Sequence, residues 1–252
     1  MQIVGYETAS ESETATLWIA SDGSLSRERL EPGTDLDYQL TARHCAGTVD
    51  DDQHLACEGQ TAPYCDRHTS RWACARCRGD CDLPLESCHE EHAVYLAAFA
   101  PETFKVGVTR SWRLQTRLRE QGADCAAHLQ TVADGRIARQ IEADIASDIG
   151  DRVRVPVKMR GLHQTVEEET WETLLDDFKP ISTYDFEYGL ALRERPMAET
   201  ILSGTVRGTQ GRILVLDHGG SSYGVNMRDL VGYELDDGST DRALQSSLTA
   251  FE

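Results

Sequence analysis

Eight soft ligands crowd one short stretch of this chain: Cys45, Cys57, Cys65, His68, Cys74, Cys77, Cys81 and Cys88. Two pairs are tightly spaced, Cys65-x2-His68 and Cys74-x2-Cys77. A two-residue gap lets a turn aim both side chains at one ion, and tetrahedral zinc takes four thiolate or imidazole ligands. Eight ligands therefore make two structural sites. Cys45, Cys57, Cys65 and His68 are expected to hold one zinc ion, and Cys74, Cys77, Cys81 and Cys88 the other. An interleaved pairing satisfies the same count. Disulfides and an iron–sulfur cluster are the competing uses of such cysteines. The opening MQIVGYETASESETA has neither a basic nor an apolar leader segment, so a cytoplasmic location is expected, and a reducing cytosol favours zinc over disulfides. The cysteine-rich segment is poor in large aliphatics, so metal must supply much of its folding energy. His89 and His92, just past the cluster, could each replace a cysteine. Cys125, alone in an apolar run, reads as a small core residue.

Charge sets a second boundary. The chain carries 43 Asp plus Glu against 25 Lys plus Arg, a formal net charge of −18. Its only lysines are Lys105, Lys158 and Lys179. A carboxylate surplus with lysine avoidance reads as halophilic, because molar salt screens the self-repulsion over about 3 Å. No apolar stretch reaches the roughly 18 residues that a membrane span needs, so no membrane partner is expected.

The elements that must position any site suggest an α+β fold in four parts. Residues 1–43 read as an N-terminal β segment, with a strand over 15–20 and turn chemistry over 31–35. Residues 44–92 form the zinc-binding module. Residues 93–178 form a small α/β core in the order strand, strand, helix, strand, helix. The strands are expected at 93–99, 103–109 and 125–132. The helices are expected at 112–122, ending on a glycine cap, at 134–149, capped by Asp134, and at 165–178, ahead of Pro180. Residues 179–252 return to strand and turn signals, and the two flanking β segments are expected to pair into one small barrel.

The first two core strands carry the triplets Val94-Tyr95-Leu96 and Lys105-Val106-Gly107, followed by Arg117 and Glu142 in successive helices. In this order the core resembles the GIY-YIG nuclease superfamily over about 85 residues. Lys105 stands where that superfamily has its second tyrosine, although some branches also carry a lysine there. The whole chain also resembles an uncharacterised haloarchaeal family of unknown function. The superfamily resemblance implies phosphodiester hydrolysis with one divalent cation. Glu142 would then bind Mg²⁺ or Mn²⁺, Tyr95 would position or deprotonate the attacking water, Arg117 would neutralise phosphate charge, and Lys105 would act as a phosphate-binding point charge.

The residues allow plainer uses as well. Glu142 sits at the edge of the apolar stripe Ile137, Ala138, Ile141, Ile145 and Ile149, where a carboxylate needs a partner, and a salt bridge to an arginine would supply one. Tyr95 suits an apolar core. Gly107 suits a close backbone approach. Residues 105–160 nevertheless hold eleven cations against seven acids in an otherwise acidic chain. Such a basic island suits a polyanion, with Arg110, Arg113 and Arg139 as contacts to DNA or RNA. Two functions follow, beside a plainer third, a zinc-organised scaffold for a protein partner with the arginines spent on internal salt bridges. One is a zinc-binding, nucleic-acid-associated, endonuclease-like phosphodiesterase; the other is a non-catalytic nucleic-acid or ribonucleoprotein binding module on the same fold.

Overall fold

A computed structural model describes residues 1–50, 52–69, 77–81 and 85–238. The chain is mixed α+β, rich in strands and sparing in helices. It divides into two compact units, Met1–Ser70 with Tyr188–Glu252, and Arg71–Glu187. In chain order the strands are β1 (Gln2–Glu7), β2 (Thr16–Ser21), β3 (Ser24–Arg29), β4 (Asp35–Arg43), β5 (Thr48–Asp50), β6 (Gln53–Leu55), β7 (His92–Phe99), β8 (Thr103–Arg110), β9 (Cys125–Val132) and β10 (Ser182–Asp185). They continue with β11 (Met197–Ala198), β12 (Leu202–Gln210), β13 (Ile213–His218), β14 (Ser221–Asn226) and β15 (Tyr233–Asp237). The helices are α1 (Leu114–Gln121), α2 (Gly135–Ala146), α3 (Val155–Gly161), α4 (Glu168–Phe178) and α5 (Met227–Leu230).

The first unit joins the two ends of the chain. Its eleven strands run β11-β14-β13-β12-β4-β15-β1-β2-β3-β6-β5. The two flanking β segments therefore pair as expected, β4 with both β12 and β15, and β1 with β15. The sheet is strongly curled: the Tyr38 hydroxyl of β4 donates to Glu28 of β3 at 2.8 Å although three strands separate them in the order. One apolar core fills the curl, with Ile3, Leu17, Leu36, Leu202, Leu214, Leu216 and Val225 buried.

The second unit is a four-stranded sheet, β10-β9-β7-β8, covered on both faces. That explains the nearly continuous apolar run of β7. Alternate side chains point to opposite faces, and both faces are dry. Ala93, Tyr95, Ala97 and Phe99 meet Leu114 and Leu118 of α1, while Val94, Leu96 and Ala98 share a cluster with Ala138 of α2 and Trp171 of α4. The expected strands and their order hold, and Asp134 caps α2 by accepting the Arg136 N–H at 2.7 Å. Cys125 is buried in the core, and burial pushes its thiol up to about 12.

Several expectations are corrected. The stretch 44–92 is divided, its first part folding with the terminal strands and its last part with the α/β unit. The core does not stop at 178, because β10 pairs with β9 and completes its sheet. The helix expected from 112 begins at Leu114, after a 3-10 turn over Ser111–Arg113. The short helix α3 was not anticipated: seven residues with a proline at the start and a glycine at the end give too little periodicity to read.

Candidate metal centre and polar cluster

The first centre is built from two knuckles and one turn. Cys45 follows β4, and the Gly47 N–H points back at its Sγ, 3.5 Å away. Cys57 follows β6, and the Gly59 N–H reaches its Sγ at 3.4 Å. The knuckles are tied together by Cys45 N–H donating to the Gly59 carbonyl at 2.8 Å. Cys65 opens a turn in which the His68 and Thr69 N–H groups both donate to its carbonyl, which swings His68 back over the cysteine. The Cys65 N–H itself donates to Cys45 Sγ at 3.2 Å.

The four ligand atoms lie within 4.8 Å of one another. His68 Nδ1 is 3.3 Å from Cys45 Sγ and 3.4 Å from Cys65 Sγ, and the sulfurs of Cys57 and Cys65 are 3.9 Å apart. A zinc tetrahedron with Zn–S of about 2.3 Å and Zn–N of about 2.0 Å has edges of about 3.8 Å between sulfurs and about 3.5 Å from sulfur to nitrogen. The spacing is that of a tetrahedron's corners. It is far from the roughly 2.05 Å of a disulfide, and the cysteines among the described residues are free thiols. Backbone N–H groups, that of Arg67 foremost, hold the Cys65 thiol down to about 6, so it is readily a thiolate. This Cys3His cluster can hold one zinc ion.

Surrounding residues, none of them singled out by the sequence, steady the site. Gln2 Nε2 donates to the carbonyls of Cys45 and Gly232 at 3.4 and 3.1 Å. His44 bridges the Cys57 carbonyl at 3.1 Å and Glu234 at 3.2 Å. A side chain at Gly59 would crowd the ligands, its Cβ 3.1 Å from Cys65 Cβ and 3.3 Å from Cys57 Sγ. The one signal that could have found the knuckles is the repeated Cys-x-Gly, at 45–47 and 57–59.

The same knuckle recurs at Cys77, where Gly79 N–H lies 3.3 Å from Sγ. Cys77, Cys81 and Cys88 lie in the second unit, and Cys81 feels both of the others. This loop is seated on α2: Gln140 Nε2 donates to the Gly79 carbonyl at 3.3 Å, and Arg136 donates to the Cys81 carbonyl at 3.4 Å. Cys74, the remaining member of the expected second set, lies outside the described residues. His89 ends a 3-10 turn, and His92 opens β7 with Nδ1 2.8 Å from the Glu90 carbonyl.

The polar cluster gathers along β7, β8 and α1. Tyr95 pairs across the sheet with Gly107, and Ala97 with Lys105, so Tyr95, Lys105 and Gly107 share a face. The phenol lies directly over Gly107: a Cβ there would fall on its hydroxyl oxygen and 2.5 Å from Cζ. Gly107 is required by this approach, as its sequence position suggested. The Tyr95 hydroxyl accepts a hydrogen bond from Gln121 Nε2 at 2.7 Å and another from Arg117. Gln121, absent from the sequence-based set, is itself held by Lys158, whose Nζ donates to its carbonyl at 2.6 Å and sits 3.9 Å from the centre of the Phe99 ring.

Burial dominates the electrostatics here. It pushes the Tyr95 phenol up, with the Arg117 charge and the Gln121 hydrogen bond pulling back. Burial, then the charge of Arg117, lowers Lys105 to about 8. Glu142 comes from α2 on the opposite face, yet its charge reaches both Tyr95 and Lys105 past the edge strand β8. Its side chain is only 13 % exposed, and it accepts from Arg139 at 2.6 Å. Tyr95 is 2 % exposed.

The arginines expected to face a polyanion are all paired. Arg139 holds Glu142. Arg110 meets Glu90 at 3.1 Å, and Arg113 meets Glu120 at 2.7 Å, with Arg117 sharing Glu120 at 3.1 Å. The pairs of Arg110, Arg113 and Arg117 are partly exposed and hold only weakly, whereas that of Arg139 with Glu142 is more deeply buried.

Fold and site together define a strand-rich α+β protein with a Cys3His metal cluster. Among the described residues no helix is long and apolar enough to cross a membrane. The chain belongs to the family described as protein of unknown function DUF2797, which matches residues 60–235. That span takes in Cys65, His68 and the whole polar cluster. No curated protein and no solved structure matches the chain.

Proposed function

We propose that this is a zinc-stabilised, nucleic-acid-associated protein whose α/β unit grips a phosphodiester at the polar cluster and hydrolyses it with a divalent cation. The observation that carries this reading is that the Tyr95 phenol and Lys105 share one sheet face, with Arg117 of α1 hydrogen-bonded to the phenol and the Glu142 charge felt by both from across the sheet. Packing alone does not need such a set, because buried charge is costly. The resemblance to GIY-YIG nucleases supports the same reading. So does the basic island over 105–160.

The roles follow from the local chemistry. Arg117 is a fork of donors suited to phosphate oxygens. The Tyr95 hydroxyl accepts from Gln121 and Arg117 and so has its own proton left to donate. With its pKa raised by burial it orients a water molecule rather than deprotonating it. Lys105, brought down to about 8 by burial and the Arg117 charge, is assigned the water's proton in this reading. The water oxygen then bonds to phosphorus as the P–O bond to the leaving sugar oxygen breaks, and that oxygen collects a proton. Glu142 fits a Mg²⁺ or Mn²⁺ ion, since these ions accept one carboxylate with water and phosphate completing the shell. Arg139 must release it first. A cation held there would supply charge neutralisation at the leaving oxygen.

A second zinc ion at Cys77, Cys81 and Cys88, with Cys74 as fourth ligand, belongs to this proposal and is supported by the shared Cys-x-Gly knuckle. So does a halophilic cytoplasm, supported by the charge of −18. The binding-only alternative is favoured by a specific observation. Tyr95 is almost wholly buried, and Glu142 already has a short ion pair.

The test is incubation of the purified full chain with labelled DNA and RNA in concentrated potassium chloride, with and without Mn²⁺. Cleavage that needs Mn²⁺ and disappears in Glu142→Ala, with binding kept, supports hydrolysis. Binding without cleavage supports the module. No binding to either polymer overturns both.

A further inference from the structure

Trp112 is the most exposed of the large apolar side chains among the described residues, at 70 %. It sits in the 3-10 turn Ser111–Arg113 that leads from β8 into α1. An indole this exposed forgoes most of the gain from burial, yet it is not loose. Its Nε1 donates to Glu90 Oε2 at 3.1 Å, while the other oxygen of Glu90 takes Arg110 at 3.1 Å. The Trp112 N–H, followed by Arg110, keeps the Glu90 carboxyl below its usual range, so the anchor stays ionised. Two guanidiniums flank the ring, Arg110 at 5.0 Å and Arg113 at 5.9 Å from its centre. Arg113 in turn shares Glu120 with Arg117, which ties the turn to the polar cluster.

This is an indole held by its edge, with two guanidiniums over the ring and most of its surface still open to solvent. A protein partner would ask for a wider apolar patch around such a residue. The neighbours here are Arg110, Arg113 and Glu90 instead. Arginine planes and an indole are the surfaces on which unpaired nucleobases stack, and Arg110 and Arg113, in partly exposed ion pairs, would exchange those partners for the adjoining phosphates. A base inside a duplex has both faces covered and cannot use the ring.

We infer that Trp112, flanked by Arg110 and Arg113, is a stacking platform for an unpaired base of a single-stranded nucleic acid. The inference rests on the nucleic-acid reading above and deepens it by naming the substrate class. The chain would take single strands, frayed ends or bulges in preference to intact duplex.

The experiment uses the full chain, its Trp112→Ala and Trp112→Phe variants, a short oligothymidylate or oligouridylate, and a duplex of the same length. Affinity is followed by anisotropy, and indole emission by the difference between wild type and Trp112→Phe. The expected result is quenching of Trp112 by the single strand but not the duplex. Trp112→Ala should lose about tenfold in affinity, with Trp112→Phe in between. Because the side chain is exposed, circular dichroism of the variants should match wild type. Equal binding by wild type and Trp112→Ala would overturn the platform and leave the nucleic-acid reading standing. Equal quenching by the duplex would overturn the preference for unpaired bases. Failure of the wild type to bind any strand would remove both inferences together.

Discussion

In the unit formed by the chain termini, three thiols and an imidazole face one another within 4.8 Å, and no opposite charge lies among them. In the α/β unit, Arg117, Arg139 and Arg113 meet Glu120 and Glu142 at 2.6 to 3.1 Å. The first set has one thiol, that of Cys65, poised to ionise, and a bound cation would supply its counter-charge. The second compensates itself. A fold that builds the first kind of centre depends on its ligand for stability, and one that builds the second can stand without any. A metal ion would thus be part of the fold in one region, whereas the other is already neutralised by its own ion pairs.

Metal removal gives the largest expected effect and tests the comparison most directly. Structural zinc in small domains is worth about 10 kcal/mol or more. Elemental analysis should return at least one zinc per chain, and Cys65→Ser or a strong chelator should abolish the cooperative melt of the terminal-strand unit. A metal-free protein with an unchanged melt would break the contrast. Next comes Gly107→Ala, which forces a methyl group onto the Tyr95 phenol and should cost about 1–3 kcal/mol by overpacking. Denaturant titration reads it, and adding Tyr95→Leu should recover part of the loss.

Lys105 sharpens the comparison through pH. Its folded pKa of about 8 lies below the ordinary 10.5. The folded state therefore penalises the charged amine fully below pH 8, and the penalty fades as pH rises toward 10.5. Lys105→Met should raise the melting temperature at pH 7, and the advantage over wild type should shrink by pH 9.5. A constant difference would mean that the amine is not desolvated. The smallest effect is expected from Gly59→Ala, whose methyl group presses on Cys57 and Cys65. Zinc affinity, measured by competition with a chelating dye, should fall about tenfold, with the α/β unit's melt untouched.

The two regions also differ in how much of each is legible in the amino-acid sequence. The Cys65-x2-His68 spacing and the nearby cysteines declare a metal site because a knuckle is local: two or three residues of backbone fix the direction of each sulfur. Gln2 and His44 carry no such mark, since their roles arise only when the first strand and the residue after β4 are brought beside Gly232 and Glu234. In the α/β unit the face shared by Tyr95, Lys105 and Gly107 came only with the register of β7 against β8, whereas the strands and their order along the chain followed from their apolar runs. Gln121 and Lys158 did not, because hydrogen bonds between distant segments leave no periodic trace. Nor did the pairing of Arg139 with Glu142 against its alternatives, which a helical spacing of three permits but does not compel.

The sequence by itself marked the Cys/His cluster and the strands of the α/β unit, because each depends on spacing or alternation along a few residues; which four ligands face one another, and that the two terminal β segments pair, was decided by the tertiary structure. Tertiary structure alone decided where 44–92 divides, that β10 closes the second sheet, that Tyr95 is buried over Gly107, and that Trp112 stands open beside Arg110 and Arg113. Those outcomes depend on which surfaces exclude water. Exclusion is a property of the assembled chain, summed over contacts between residues far apart in the sequence.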